Sequence, residues 1–131
     1  MYKNNHLKEE YSESYIYKKL FENGIEVKWS SLINRKSKED FITSDGKRID
    51  VKFSTFSTIG KRKAWRFNCH HHGKKQTHID YYICVLIDEK KHLIFVFPSE
   101  LIEGYQINIS DRQLHRGKFD YFKENWDLIK S

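Results

Sequence analysis

A mixed α/β fold, one central mixed β-sheet flanked by helices, is what this sequence predicts, and three observations predict it. Apolar residues recur at helical spacing near both ends: Ile16, Tyr17 and Leu20, then Phe119, Phe122, Trp126 and Ile129. Between them lie strand-like runs, among them DFITSDGKRIDVKFS, IDYYICVLID and HLIFVF. The 131 residues suit a single domain, taken as 1–131, and the order helix, strand, hairpin, further strands, helix suggests a sheet with helices packed against it.

The elements follow in order. A first helix is expected from about Leu7 to Asn23, with Phe21 at the border of its apolar face. Gly24 stops it, because glycine accepts the left-handed conformation that ends helices. Ile25 to Ile33 has a strand-like pattern, and NRKSKE is a basic polar link. Asp45-Gly46 centres a β-hairpin. Lys61, Arg62 and Lys63 are expected in a loop beside Gly60, before a strand from Ala64 to Cys69 and a polar loop, HHHGKKQTH. Ile79 to Asp88 is apolar enough for a central strand buried on both faces. The chain turns at Asp88 to Lys91, and HLIFVF returns as its hairpin partner. Pro98 ends that strand, Ser99 caps a short turn through Leu101, and a last helix is expected over about Phe119 to Lys130.

Charged residues make up 32% of the chain and the net charge is +6, which favours an acidic polymer as partner, nucleic acid before an anionic membrane surface. The longest apolar run, Tyr81 to Ile87, is too short to span a bilayer, and the start of the chain does not read as a signal peptide. Two cysteines, Cys69 and Cys84, lack metal or redox spacing, so a reducing, cytoplasmic location is expected.

The chemistry centres on the second half of the hairpin. Side chains alternate along a strand, so Ile49, Val51 and Phe53 share one face and Arg48, Asp50, Lys52 and Ser54 the other. An acid-x-Lys tripeptide alone says little, since the chain holds five and three fall in expected turns. Context separates Asp50–Lys52 from the other strand copy at Glu26. Asp40 opens the preceding strand. A three-residue loop, 44–46 or 45–47, puts Asp40 opposite Asp50 or Lys52 on the same face. A two-residue loop pairs it with Val51 on the wrong face, unless a bulge or bend restores the geometry. Glu13 lies three, four and seven residues before Ile16, Tyr17 and Leu20, which puts its carboxylate on the helix's apolar face, where it needs a partner.

A helix bearing Glu13, a strand, an acid opening a hairpin and acid-x-Lys on the next strand resemble the PD-(D/E)xK nuclease superfamily. That superfamily includes many restriction endonucleases, Holliday-junction resolvases and some homing endonucleases. The matching pieces are SESYIYKKLFENGIEV, DFITSDGKRIDVKFS, IDYYICVLID and HLIFVFPSEL, spanning about residues 8 to 102, although Glu39 rather than proline precedes Asp40. The resemblance implies a restriction endonuclease-like core and a metal-dependent endonuclease hydrolysing phosphodiester bonds in DNA. By position, Asp40 and Asp50 would bind Mg²⁺, with Mn²⁺ as an alternative, helped by the Val51 carbonyl. Lys52 would orient or help activate the attacking water, and Glu13 would be an outer ligand or bind a second metal.

Lys61, Arg62, Lys63, Arg66, Lys74 and Lys75 surround Trp65 and Phe67, a mixture suited to phosphate contact and stacking. Arg35, Lys36 and Lys38 add charge just before Asp40. The CHHHG cluster, Cys69 to Gly73 with His78 nearby, invites a zinc reading, but consecutive extended residues face opposite ways and no paired motif completes four ligands. The rival to an enzyme is a catalytically inactive nucleic-acid-binding module of the same fold. DNA is the expected substrate with RNA left open, and two-strand cleavage by a one-site domain points to a homodimer or higher homo-oligomer.

Overall fold

The computed structural model describes residues 5–71, 74–75, 78–89 and 91–130. Helix α1 (Asn5–Glu22) leads to strand β1 (Val27–Trp29) and the short helix α2 (Ser30–Ile33). Strands β2 (Phe41–Thr43), β3 (Arg48–Thr55), β4 (Ser57–Ile59), β5 (Arg62–Asn68), β6 (His70–His71) and β7 (Lys74–Lys75) follow. Then come β8 (Tyr81–Asp88), β9 (Lys91–Pro98), a 3₁₀ turn (Ser99–Leu101), β10 (Gln106–Ser110), α3 (Asp111–His115), a second 3₁₀ turn (Asp120–Phe122) and α4 (Asp127–Lys130).

The central sheet is mixed and five-stranded, in the order β1-β2-β3-β8-β9. Strand β8 runs parallel to β3 and antiparallel to β9, and its residues Tyr82 to Leu86 are all buried, the signature of a strand covered on both faces. Each face of the sheet carries its own core. On one side Ile49, Val51, Ile83, Val85, Ile94 and Val96 pack under Ile16 and Leu20 of α1, with Trp126 and Ile129. On the other, Tyr82, Cys84, Leu86, Phe95 and Phe97 meet Trp65, Phe67, Ile107 and Ile109. Those last four belong to a second sheet, β10-β5-β4, lying across the first. The fold is therefore a helix layer, a central sheet and a small second sheet. Neither cysteine is in a disulfide, and both are buried in the second core, where they pack as small side chains.

Several expectations change. The strand expected through Ile33 stops at Trp29, and Ser30–Ile33 forms a helical turn. Of the loop expected at Lys61 to Lys63, only Gly60 and Lys61 form the turn, while Arg62 and Lys63 already pair with β4. Tyr17 is only half-covered: its ring stacks on Trp29, centroids 5.3 Å apart, and on Phe41 at 6.0 Å. Phe21 is 77% exposed rather than at the edge of a buried face.

The final helix is the largest correction. A 3₁₀ turn and the short α4 replace it, separated by an irregular step. Glu124 adopts φ 45° and its N–H donates to Ile94 O at 2.9 Å, while Lys123 bridges to Phe95. The chain here wraps the edge of β9. Phe119 and Phe122 pack into the second core and Trp126 and Ile129 into the first, so a spacing that mimics one helix face serves two opposite sides of the sheet. Strand β10 and α3 were not expected. Their signals are the alternation of Ile107 and Ile109 and a capping box, in which Ser110 Oγ accepts from Gln113 N and Gln113 Oε1 accepts from Ser110 N.

Candidate active site

The β2–β3 turn sets the site. Thr43 N–H donates to Lys47 O, and Phe41 pairs with Ile49 and Ile42 with Arg48, which leaves residues 44–46 as a three-residue loop. Gly46 takes φ 88°, a conformation glycine adopts without strain. Extending that register by one residue puts Asp40 opposite Asp50. The ladder is irregular at that point, because Asp40 N–H donates to Ile49 O at 2.9 Å. The Asp40 side chain then turns onto β3, where Oδ2 accepts from Val51 N–H at 2.7 Å.

Strand β2 covers only the first residues of β3, so the rest of that edge is open on this side. There Glu13, Asp40, Asp50, Val51, Lys52 and Phe53 line one side of an open cavity of about 390 Å³. Arg66, Phe67 and Asn68 of β5 line the other. Asp50 and Lys52 point to the second-sheet face, paired in register with Tyr82 and Cys84 of β8. They lie at the rim of that core, with side chains only 14% and 23% exposed.

The electrostatics follow from crowding. Burial, then the charge of Asp50, a hydrogen bond shared with Asp50, and the charge of Glu13 push Asp40 up to about 9, against the pull of the Val51 N–H. Lys52 Nζ lies 2.8 Å from Asp50 Oδ2. Burial works against the Lys52 charge, but Asp50 outweighs it and holds the ammonium above its ordinary pKa. Oδ2 of Asp50 is buried, and among the described residues the Lys52 ammonium is the only donor group on it. One ammonium stands against two crowded carboxyl groups, and a further cation would relieve the remaining repulsion between Asp40 and Asp50.

Glu13 is engaged elsewhere. Its Oε1 accepts from Trp29 Nε1 at 2.9 Å and from Ser31 Oγ, which ties α1 to β1 and α2 at the pocket's edge. Among the described residues, no three His, Cys, Asp or Glu side chains stand together closely enough to hold one ion. Asp40 and Asp50 are thus a two-carboxylate set, with Glu13 behind them. Mg²⁺ needs no more protein than that, since it keeps several waters and takes one or two carboxylates.

No protein-family model matches the chain, and no curated protein sequence matches it. Among solved structures, a bacterial homing endonuclease, I-Ssp6803I, superposes with a TM-score of 0.64 at 18% identity, over 96% of this chain and 92% of that one. In fold, this chain is similar to a nuclease.

On this nuclease-like fold the basic residues separate. Arg66 is exposed beside the pocket, its Nε 3.3 Å from Asn108 Oδ1. Lys61 and Arg62 are exposed at the opposite end of β5. Lys63 is held by Asp88, 3.2 Å away, and sits over the Phe56 ring. Lys74 and Lys75 form β7 against His71 and His70. His72 and Gly73 of the histidine cluster lie outside the described residues, Cys69 is buried in the core, and His78 Nε2 bonds the Lys38 carbonyl at 2.8 Å. Tyr82, Trp29 and Ser31 border the site without having been singled out. Their contacts join residues remote in sequence, so only Glu13's need for a partner hinted at them. Among the described residues, no helix is long and apolar enough to cross a membrane.

Proposed function

We propose that this protein is a metal-dependent endodeoxyribonuclease whose pocket is built on Asp40, Asp50 and Lys52. The observation that carries the reading is the meeting of two crowded, largely buried carboxyl groups in an open pocket beside a lysine. Folding alone loses by that arrangement near neutral pH, because Asp40 must keep a proton beside Asp50 that the unfolded chain releases.

Asp40, Asp50 and the Val51 carbonyl would hold Mg²⁺ or Mn²⁺, which when bound polarises the scissile phosphate and lowers the pKa of water. The chain's own residues do the rest. Val51 N–H holds Asp40 in one orientation. The Lys52 ammonium stays charged beside Asp50 and offsets the negative charge of the approaching phosphate. Arg66 faces the same cavity and attracts the nucleic-acid backbone. Glu13 fixes the wall by gripping Trp29 and Ser31.

The testing assay incubates the protein with plasmid, single-stranded and branched DNA in Mg²⁺ or in EDTA. Cleavage is expected with metal only. Binding without cutting across that panel would overturn the enzyme in favour of an inactive binding module. Mixing wild-type and cleavage-dead chains reads out whether a homo-oligomer is needed for two-strand cuts.

A further inference from the structure

The small sheet turns Trp65, Phe67, Ile107 and Ile109 into the core, so alternation sends Arg66, Asn68, Gln106 and Asn108 outward, where all four are exposed. Register sets Asn68 beside Gln106 and Arg66 beside Asn108, making a compact block of four across two antiparallel strands. The block is internally braced. Arg66 Nε donates to Asn108 Oδ1 at 3.3 Å, and Gln106 Nε2 donates to Asn68 Oδ1 at 2.9 Å. These bonds leave both NH₂ groups of Arg66, the amide NH₂ of Asn68 and of Asn108, and the amide oxygen of Gln106 facing outward for a ligand.

We propose that this outer face of β5 and β10 reads base pairs in the major groove of double-stranded DNA next to the cleavage pocket, an inference that rests on the endonuclease reading above. Three features favour it over a merely wet surface. This block holds one guanidinium and three carboxamides, planar groups with fixed donor and acceptor directions. The ends left by the bracing bonds, donors on Arg66, Asn68 and Asn108 and an acceptor on Gln106, match the acceptor and donor groups that base edges present in the major groove. Arg66 and Asn68 also line the pocket, so a duplex whose backbone enters it brings its groove onto the block. The size fits as well. A two-stranded ribbon enters the B-form major groove, and residues two apart on one strand stand about 7 Å apart, about two base-pair steps. The A-form groove of duplex RNA is too narrow for such a reader.

The test recovers bound duplexes from a randomised DNA pool in EDTA, using the full chain and a Gln106→Ala/Asn108→Ala variant whose fold is checked by circular dichroism. Wild type is expected to enrich a short motif. The variant should lose preference at two or three adjacent base pairs, and its affinity should fall about tenfold further on the recovered duplex than on unrelated DNA. Asn108→Asp, which swaps a donor for an acceptor at constant size, should change the preferred base, and it carries the test if the double variant misfolds. No motif from wild type, an unchanged motif in the variants, equal loss on every sequence, or equal binding of duplex RNA would overturn the proposal. The same pool cut in Mg²⁺ separates the two readings. Cutting without base preference sinks the reading face and keeps the nuclease, whereas a motif bound but never cut sinks the nuclease and supports the face.

Discussion

The backbone N–H of Val51 donates to Asp40 Oδ2 over 2.7 Å, and that bond decides where two carboxylates meet. It uses a donor that a longer β2 would have consumed in the sheet ladder. Because β2 ends at its bend, the Asp40 side chain takes the place of a strand, and its carboxylate is drawn toward Asp50. The consequences can be measured.

Asp50→Ala removes the carboxylate that sits between Asp40 and the Lys52 ammonium. Nicking of plasmid in Mg²⁺ should fall about a thousandfold, while affinity for DNA in EDTA stays within a few-fold of wild type. Unchanged nicking would show that the chemistry lies elsewhere.

Lys52→Ala tests the cation beside Asp50. Its loss should slow single-turnover cleavage about a hundredfold with little change in substrate affinity, since the charge matters most as the phosphate gains charge. A drop in affinity with an unaltered single-turnover rate would make Lys52 a binding residue only.

Asp40→Asn should stabilise the metal-free protein. Asp40 sits at about 9 in the fold against an ordinary 3.8, so the folded state holds the proton more tightly than the unfolded chain. Its contribution to stability is complete below about pH 4 and is lost as pH rises through about 9. Asparagine keeps an oxygen for Val51 N–H and never ionises. In urea titrations the variant should gain on wild type from pH 5 to 9, by at least about 1 kcal/mol at pH 8, with no gain near pH 4. A gain independent of pH would contradict the shift.

Metal uptake should compete with that same proton. Below the pKa of Asp40, apparent Mg²⁺ affinity should rise about tenfold per pH unit, with close to one proton released per ion, as read by calorimetry at pH 6.5 to 8.5 in two buffers. PH-independent uptake would remove Asp40 from the ligand set.

Glu13→Ala leaves Trp29 Nε1 and Ser31 Oγ without their shared acceptor. The cost should be about 1–3 kcal/mol, seen as a lower urea midpoint and an altered tryptophan emission. Glu13→Gln should recover part of that loss, because its carbonyl oxygen still accepts. A variant as stable as wild type would place Glu13 among the ligands alone.

The sequence by itself determined the central architecture. The α1 face of Ile16 and Leu20, the doubly buried β8 and its hairpin with β9 rest on periodicity and on contacts close in sequence. It also set Asp50 and Lys52 on one face of β3, because alternation along a strand leaves no choice. Two other facts required the tertiary structure. The turn could have held two residues or three, and only the packed β1–β2–β3 register selects 44–46 and brings Asp40 to Asp50. The terminal aromatics read as one helix because spacing along a chain cannot say that its residues straddle a sheet edge. Local pattern records which residues seek burial, while the surface they are buried against is formed by segments distant in the chain.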